Sequence, residues 1–477
     1  MIIAATMMRR ILILMPMFCL AGLALLAQTG YAIRVQIKGF SEKKLYLAYY
    51  YGDKQYIKDT AVYNTEGWFE FKGNKPLEGG VYMIVLPPDN KYFEIMVDKN
   101  EQQFSIQTER DDLSGQIIFG GQSFENQLFY KYINFQSLIG KEEDQLKADM
   151  AMARKQKTDT SFLQEKMDSL ENANLAYQKK LIKNYPGSLT ASLIKATLPV
   201  NNPEFAGSKK EVETKSWQYA KNHFFDNMEM GDPRLLRSPV LFSKINYFIE
   251  NLQVQHPDSL CRAIDFVMNK LSAAPESYKF YLIHFLNKYA SSKIVGMDAV
   301  YVHLAKNYYA KGKAPWTEKE QLQKIIDNAN TLDPILIGKK APSLPALTRK
   351  GMPFDFGMIP AAYTIVYFWR ENCSLCKSDA LKLKQFYEKY KSRGVRILSV
   401  CIDQYENIDK NWKYVDENGL DEWTHVYFAD PKNLLAVLKT YDIKSSPLIY
   451  VLNDQQVIQS KRIGVNQLDM LMDMFLK

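Results

Sequence analysis

Cysteine is scarce in this chain. Only Cys19, Cys261, Cys373, Cys376 and Cys401 occur among 477 residues. An exported protein stapled by disulfides would carry more, at closer spacing. Histidine is equally sparse. His223, His256, His284 and His303 stand singly through the middle of the chain, and no two of them sit with an acid at metal-ligand spacing. They read as surface or core histidines, and no metal or other cofactor is expected. A strong charge of one sign is missing too. The 61 basic and 53 acidic residues leave a formal charge of +8, thinly spread. No basic stripe with interleaved aromatics exists, which argues against nucleic acid as a partner. No fixed repeat of about 34 or 40 residues supports a solenoid. Beyond residue 32, no apolar run is long enough to cross a bilayer.

What is there begins with the leader. Met8-Arg9-Arg10 is a short basic start, residues 11–27 are almost wholly apolar, and Gly30 and Ala32 place small residues three and one before Ile33. This is the pattern of a secretory signal peptide over residues 1–32. It predicts a mature protein in the periplasm or cell envelope, with four cysteines. A retained anchoring helix is the alternative. Cys19 raises lipidation, but Pro16, Met17 and Phe18 are bulky where that signal wants small residues.

Three regions follow. Residues 33–120 read as short strands such as Arg34-Val35-Gln36-Ile37 and Trp68-Phe69-Glu70-Phe71, with turns about every ten residues. That spacing predicts a small antiparallel β-sandwich. Residues 121–335 read as helices. Ser161 with Gln164, and Thr317 with Glu320, have the spacing of helix-opening capping boxes. Leu163, Met167, Leu170, Asn174, Tyr177 and Leu181 form an apolar seam with one polar position. It predicts one arm of a helical hairpin, with dimerisation as an open alternative and the oligomeric state undecided. Cys261 falls on a helix and reads as a buried small apolar residue. In residues 336–477 strand and helix alternate, as in an α/β domain. The fold class is therefore multidomain α+β.

The chemistry concentrates at one junction. The apolar strand Tyr363–Trp369 runs into Arg370-Glu371-Asn372-Cys373-Ser374-Leu375-Cys376-Lys377, and a helix follows. Cys373 should open that helix, where unpaired N–H groups and the helix dipole favour a thiolate. Lys377 adds positive charge one turn on. Two residues between the cysteines let Cys376 lie behind Cys373 and resolve a mixed disulfide. Cys401, on a later strand, reads as a buried thiol. An inert structural disulfide, a zinc half-site and a peroxidase remain as other readings. The last lacks its threonine, since Arg370 holds that place.

Residues 338–477 resemble the thioredoxin-like family, in its envelope-exported TlpA/ResA branch. The resemblance rests on Gly338-Lys339-Lys340-Ala341-Pro342, on Phe368-Trp369 leading into the Cys-x-x-Cys, and on Ser446-Pro447 before an apolar strand. The preceding regions resemble the N-terminal parts of some Bacteroidetes-type envelope members. The resemblance implies a thioredoxin fold and thiol–disulfide oxidoreductase activity on Cys373 and Cys376. It implies disulfide-containing envelope proteins as substrates and a membrane thiol electron donor. Pro447 should follow a cis peptide from Ser446, beside the cysteines, and let an extended substrate pair with the backbone there. Trp369 belongs to the motif. Thioredoxin's buried acid would fall at Tyr367, which cannot serve near neutral pH, so Glu371 or water would substitute. The alternative function is an envelope binding or assembly protein with an accessory redox domain.

Overall fold

The computed structural model describes residues 30–477, so the apolar leader, including Cys19, lies outside the described residues. The first strands are β1 (Tyr31–Lys38), β2 (Lys44–Tyr51), β3 (Lys54–Val62), β4 (Phe69–Gly73), β5 (Gly80–Leu86), β6 (Lys91–Val97), β7 (Gln103–Glu109) and β8 (Ile118–Gly121). They form two four-stranded sheets, ordered β4-β1-β7-β8 and β3-β2-β5-β6. Ile33, Val35, Leu45, Leu47, Phe71, Ile84, Ile95 and Ile106 are among the side chains of a shared core. One pair departs from the antiparallel expectation: β1 and β7 run parallel, with Ile33 opposite Phe104 and Val35 opposite Ile106. Residues so far apart in sequence need no tight turn, so either direction can close the sheet. The strand β1 starts two residues before Ile33. Ala32 N–H donates to Gln102 O at 2.8 Å, and the Tyr31 hydroxyl donates to Asp59 Oδ2 at 2.8 Å.

Two long helices follow, α1 (Phe124–Lys155) and α2 (Ser161–Asn184). Met167 of the apolar seam packs with Leu146 and Met150 of α1, flanked by Leu163 and Leu170. The polar seam position is answered across the hairpin: Gln136 Nε2 donates to Asn174 Oδ1 at 2.8 Å. The capping box at Ser161 does not form. Asp159 Oδ1 instead accepts from Ser161 N–H at 2.9 Å and from its hydroxyl at 2.6 Å, because a carboxylate outcompetes the Gln164 side-chain amide for that N–H, and Gln164 N–H donates to the Thr160 carbonyl at 2.9 Å.

Compactness divides the chain into two units: residues up to Tyr49 with Gln55–Ala176, and Tyr50–Lys54 with Tyr177–Lys477. The second unit contains α3 (Leu189–Thr197), α4 (Lys209–Asn222), α5 (Pro239–Glu250), α6 (Pro257–Lys270), α7 (Pro275–Ala290), α8 (Asp298–Leu304) and α9 (Lys319–Leu332). Helices α5, α6 and α7 each open on proline, whose missing N–H costs nothing in the first turn. The box at Thr317 fails as well. Helix α9 opens after Glu318 with no side-chain cap, and Glu320 pairs with Lys324 instead.

The same unit ends in a six-stranded sheet, ordered β14-β13-β10-β11-β12-β9. Its strands are β9 (Leu347–Thr348), β10 (Tyr363–Trp369), β11 (Val395–Cys401), β12 (Thr424–Tyr427), β13 (Leu448–Asn453) and β14 (Ile458–Lys461). Its helices are α10 (Ser374–Tyr390), α11 (Ile408–Glu417), α12 (Pro431–Thr440) and α13 (Leu468–Phe475). Strand β10 is central, parallel to β11 and antiparallel to β13. Its Ile365, Tyr367 and Trp369 pack with Leu383 and Phe386 of α10 and Leu468 and Met472 of α13. On the other face Phe368 meets Tyr441 and Tyr450. Each such apolar side chain contributes about 1.5–3 kcal/mol on burial. After α10, Gly394 takes a left-handed turn at φ 83°, which a side chain would strain. The helical part and this sheet also join directly: Asp298, opening α8, pairs with Lys461, which is 2% exposed at the end of β14.

Candidate redox site

Strand β10 delivers the site. Its last residue, Trp369, is locked by a 2.7 Å bond from Nε1 to Ser399 Oγ, and its carbonyl accepts from Ile402 N–H at 3.0 Å. The chain then leaves the sheet, and Glu371 N–H donates to Asp403 Oδ2 at 2.8 Å. Cys373 is the residue that caps α10. Its Sγ accepts from Cys376 N–H at 3.1 Å. The sulfur thus occupies the place where an N-cap oxygen would satisfy an orphan donor. An anion at this position is stabilised by that N–H and by the helix dipole.

Cys373 and Cys376 are joined as a disulfide with Cα atoms 5.2 Å apart, inside the range for an ordinary bridge. Their surroundings differ. Cys376 is fully buried, whereas Cys373 is half-buried. The cover over Cys376 is specific: the Tyr367 hydroxyl donates to its carbonyl at 2.7 Å. Burial, and then the Asp379 carboxylate, push the Tyr367 phenol well above its ordinary value. It therefore stays a neutral donor that pins the first turn of α10.

Ser446 and Pro447 arrive from the loop before β13, 73 residues away from Cys373. The Cys373 sulfur lies 3.6 Å from the Ser446 carbonyl oxygen, and the Ser446–Pro447 peptide is cis. Leu375, Asp379, Pro447, Arg462 and Gly464 line a groove of about 430 Å³ at this point. Lys377 and Glu371 are also in place, but engaged with one another: Nζ lies 2.5 Å from Glu371 Oε1 and 5.4 Å from the centre of the Tyr414 ring. The cation expected to favour a Cys373 thiolate comes with its own counter-charge. The helix terminus is left as the main source of positive potential.

Sequence reasoning passed over three groups here. Asp379 lies three residues after Cys376, on the same helix face, and that spacing was a readable signal. Asp403 had none, because only the pairing of β10 with β11 brings it to Glu371. The Asp442–Arg462 pair at the groove was equally unreadable: both residues have positive φ, and they meet only through tertiary packing. Among the described residues, Cys261 and Cys401 are the free cysteines. Burial pushes the Cys401 thiol up to about 12, against a hydrogen bond from the Asp403 backbone N–H that favours the thiolate. Burial and then Asp265 push Cys261 up to about 12. Neither carries a useful thiolate fraction near neutral pH.

Comparison with known proteins covers all three regions. Residues 362–458 match a thioredoxin-like family model. Residues 172–331 and 31–127 match two domains of unknown function, DUF5106 and DUF4369. The sporulation thiol-disulfide oxidoreductase A of Bacillus subtilis is 27% identical over 130 residues, which is 26% of this chain and 76% of that protein. The thiol-disulfide oxidoreductase ResA of Bacillus cereus is 24% identical over 132 residues, 27% of this chain and 70% of that protein. Among solved structures, a domain of a possible thiol-disulfide isomerase from Cytophaga hutchinsonii is 31% identical, with a TM-score of 0.27. The match covers 29% of this chain and 92% of that one. A thioredoxin-like protein from Bacteroides caccae is 17% identical over 58% of this chain and 98% of its own, with a TM-score of 0.42. With a Cys-x-x-Cys pair at its strand-to-helix junction, the matched C-terminal region is a thioredoxin-like domain, homologous to thiol–disulfide oxidoreductases.

Proposed function

We propose that this protein is an exported reductant of disulfides in cell-envelope proteins, with Cys373 as nucleophile and Cys376 as resolving thiol. The observation that carries the reading is the asymmetry of the pair: a half-buried sulfur capping α10 beside the Ser446 carbonyl, and a fully buried partner behind it.

In the reduced protein the Cys373 thiolate attacks one sulfur of a substrate disulfide. The substrate's other sulfur leaves as a thiolate, and a mixed disulfide forms. Substrate backbone beside its cysteine pairs with the extended chain before Pro447. Cys376 then attacks Cys373 Sγ, its own proton lost to solvent or a nearby base. The second substrate thiol is released, and two electrons have passed from the protein dithiol to the substrate. The Cys373–Cys376 disulfide that remains is reduced again by a thiol donor, which we assign to a membrane partner. We assign the proton handling near the pair to Glu371, Asp379 or Asp403, or to water. Trp369, Ser446 and Pro447 hold its geometry. Export rests on the leader and on the resemblance to envelope-exported members.

Turnover of a glutathione-mixed disulfide on a model peptide tests the assignment. Cys373→Ser should abolish reduction. Cys376→Ser should still attack and accumulate a covalent protein–peptide adduct, visible by intact mass. Full activity in Cys373→Ser, or an adduct mapped to Cys401, would refute it.

A further inference from the structure

The helical region holds a second polar cleft, none of whose lining residues belongs to the thioredoxin-like domain. It opens between α6, α7 and the end of α8, with a volume of about 550 Å³. Its wall is made by an irregularity. Helix α8 passes into a single π-helical turn over Ala305–Tyr309, in which Ala310 N–H donates to Ala305 O at 2.9 Å and Lys313 N–H to Tyr308 O at 2.9 Å. In a continuous α-helix, side chains four apart drift around the axis by about 40° each step. The wider turn cancels that drift, so His303, Asn307 and Lys311 stay in line, with Tyr308 beside them. π-Turns of this kind concentrate at functional sites.

These side chains form one hydrogen-bond chain whose polarity is determined. Asp265 Oδ1 accepts from the Tyr308 hydroxyl at 2.6 Å and lies 2.8 Å from His303 Nε2. A carboxylate only accepts, so Nε2 carries the proton. His303 Nδ1 is then the acceptor for Asn307 Nδ2 at 3.1 Å. That orients the amide oxygen toward Lys311, whose Nζ donates to it at 2.9 Å. The chain fixes the Lys311 ammonium at the rim without consuming its charge. Lys313 is fixed nearby, 4.9 Å from the centre of the Tyr308 ring. Asp265 is the one carboxylate among the described lining residues, so two ammonium groups face a single acid. On that acid both recorded donors use Oδ1, which leaves Oδ2 able to accept from a ligand hydroxyl.

We infer that this cleft binds a small hydroxylated carboxylic acid, of the size and chemistry of a sugar acid. Lys311 and Lys313 take the carboxylate, Asp265 Oδ2 and Asn269 take hydroxyls, and Tyr278 supplies a flat apolar wall. The volume lies in the range of small-molecule sites. The excess cation charge favours an anion over a neutral sugar, and the acceptor on Asp265 favours a ligand that carries hydroxyls beside its anionic group.

The test is calorimetric titration of the full chain with D-glucuronate, D-glucose and inorganic phosphate as probes. Glucuronate should bind at least tenfold more tightly than either of the other two. The Lys311→Met/Lys313→Met double variant should lose at least tenfold in glucuronate affinity. Both lysines are exposed, so this variant should melt like the parent. Asn307→Leu, which cuts the chain in the middle, should lose about as much while keeping both lysines. No binding of glucuronate, phosphate binding as tightly as glucuronate, or unchanged affinity in the lysine variant would each overturn the assignment. Comparison of the three probes on the parent protein decides the matter even if a variant fails to fold.

Discussion

Strands β1 and β10 are both rich in apolar residues, yet they are used in opposite ways. Along β1 buried and half-covered residues alternate, because one face packs into the sandwich core and the other meets solvent. In β10 every residue after Tyr363 is buried, since helices cover both faces of its sheet. A singly covered strand contributes stability and little else. A doubly covered strand also holds its own end in place, and the residues just past that end inherit the precision. Trp369 is tied by its indole and its carbonyl, and the cysteine loop starts at the next residue. The redox pair accordingly sits at the end of β10 in the six-stranded sheet.

The sharpest way to break this contrast is at the edge of the second sheet. Asp298→Ala should leave Lys461 buried without its counter-ion, a loss of about 3–5 kcal/mol, read as a lower denaturant midpoint. Lys461→Met in the same chain should recover most of it. No change in either variant would mean that the pair is not buried as described.

A matched pair of core truncations probes the two strands directly. Ile33→Ala in β1 and Ile365→Ala in β10 remove equally buried side chains, and each should cost about 2–5 kcal/mol. Their effects on turnover should differ. Disulfide reduction at 25 °C should stay within about twofold for Ile33→Ala, since Ile33 belongs to the sandwich core and not to the core beneath the cysteine loop. Ile365→Ala should slow it about tenfold, a loss of about 1.4 kcal/mol in positioning. Equal effects on rate would erase the distinction drawn here.

Alkaline stability gives a third comparison. Burial holds the Cys401 thiol up to about 12 in the folded protein, whereas an unfolded thiol ionises near pH 8.5. The contribution of Cys401 is therefore complete below about pH 8.5 and is lost as pH rises toward about 12, at up to about 1.4 kcal/mol per pH unit. Cys261, also pushed up to about 12, acts in the same direction. Cys401→Ala should flatten the decline without removing it. Chemical denaturation between about pH 8.5 and 9, a unit below ordinary tyrosine ionisation, compared between the parent and the variant, isolates the Cys401 contribution. A slope unchanged by the substitution would count against a buried Cys401.

The smallest effect concerns Tyr367. Tyr367→Phe removes its hydrogen bond to the Cys376 carbonyl and should cost about 1 kcal/mol. Alkylation of reduced Cys376 should rise, because the first turn of α10 opens more easily, while Cys373 stays the faster thiol. Peptide mass spectrometry of both sites measures this.

Residue pattern made much of this architecture readable before any coordinates. Alternation marked the sandwich strands, and a seam of Leu163, Met167 and Leu170 marked the hairpin that packs on α1. The cysteine pair at a strand-to-helix junction was readable from spacing, and its redox role and its neighbourhood with Ser446 and Pro447 from a family resemblance. The capping boxes were not readable correctly. At Ser161 the neighbouring Asp159 takes the Ser161 N–H, and at Thr317 the helix opens two residues later, with Glu320 drawn to Lys324. Both are local competitions between side chains that a spacing rule does not weigh. The parallel pairing of β1 with β7 was out of reach for another reason, since no short-range signal encodes the direction of strands so far apart.

The sequence by itself determined the chemistry available: two thiols two residues apart at the head of a helix, an apolar strand before them, and a proline to meet them. Those are properties of residue type and short-range spacing, which survive without a fold. Tertiary structure decided which thiol is covered, that Lys377 spends its charge on Glu371, and that Asp403, Asp442 and Arg462 border the site. It also decided that a π-turn lines up His303, Asn307 and Lys311 against Asp265. Burial and electrostatic pairing depend on groups brought together from distant positions in the chain, and only the packed sheet and helices bring them within a few ångströms.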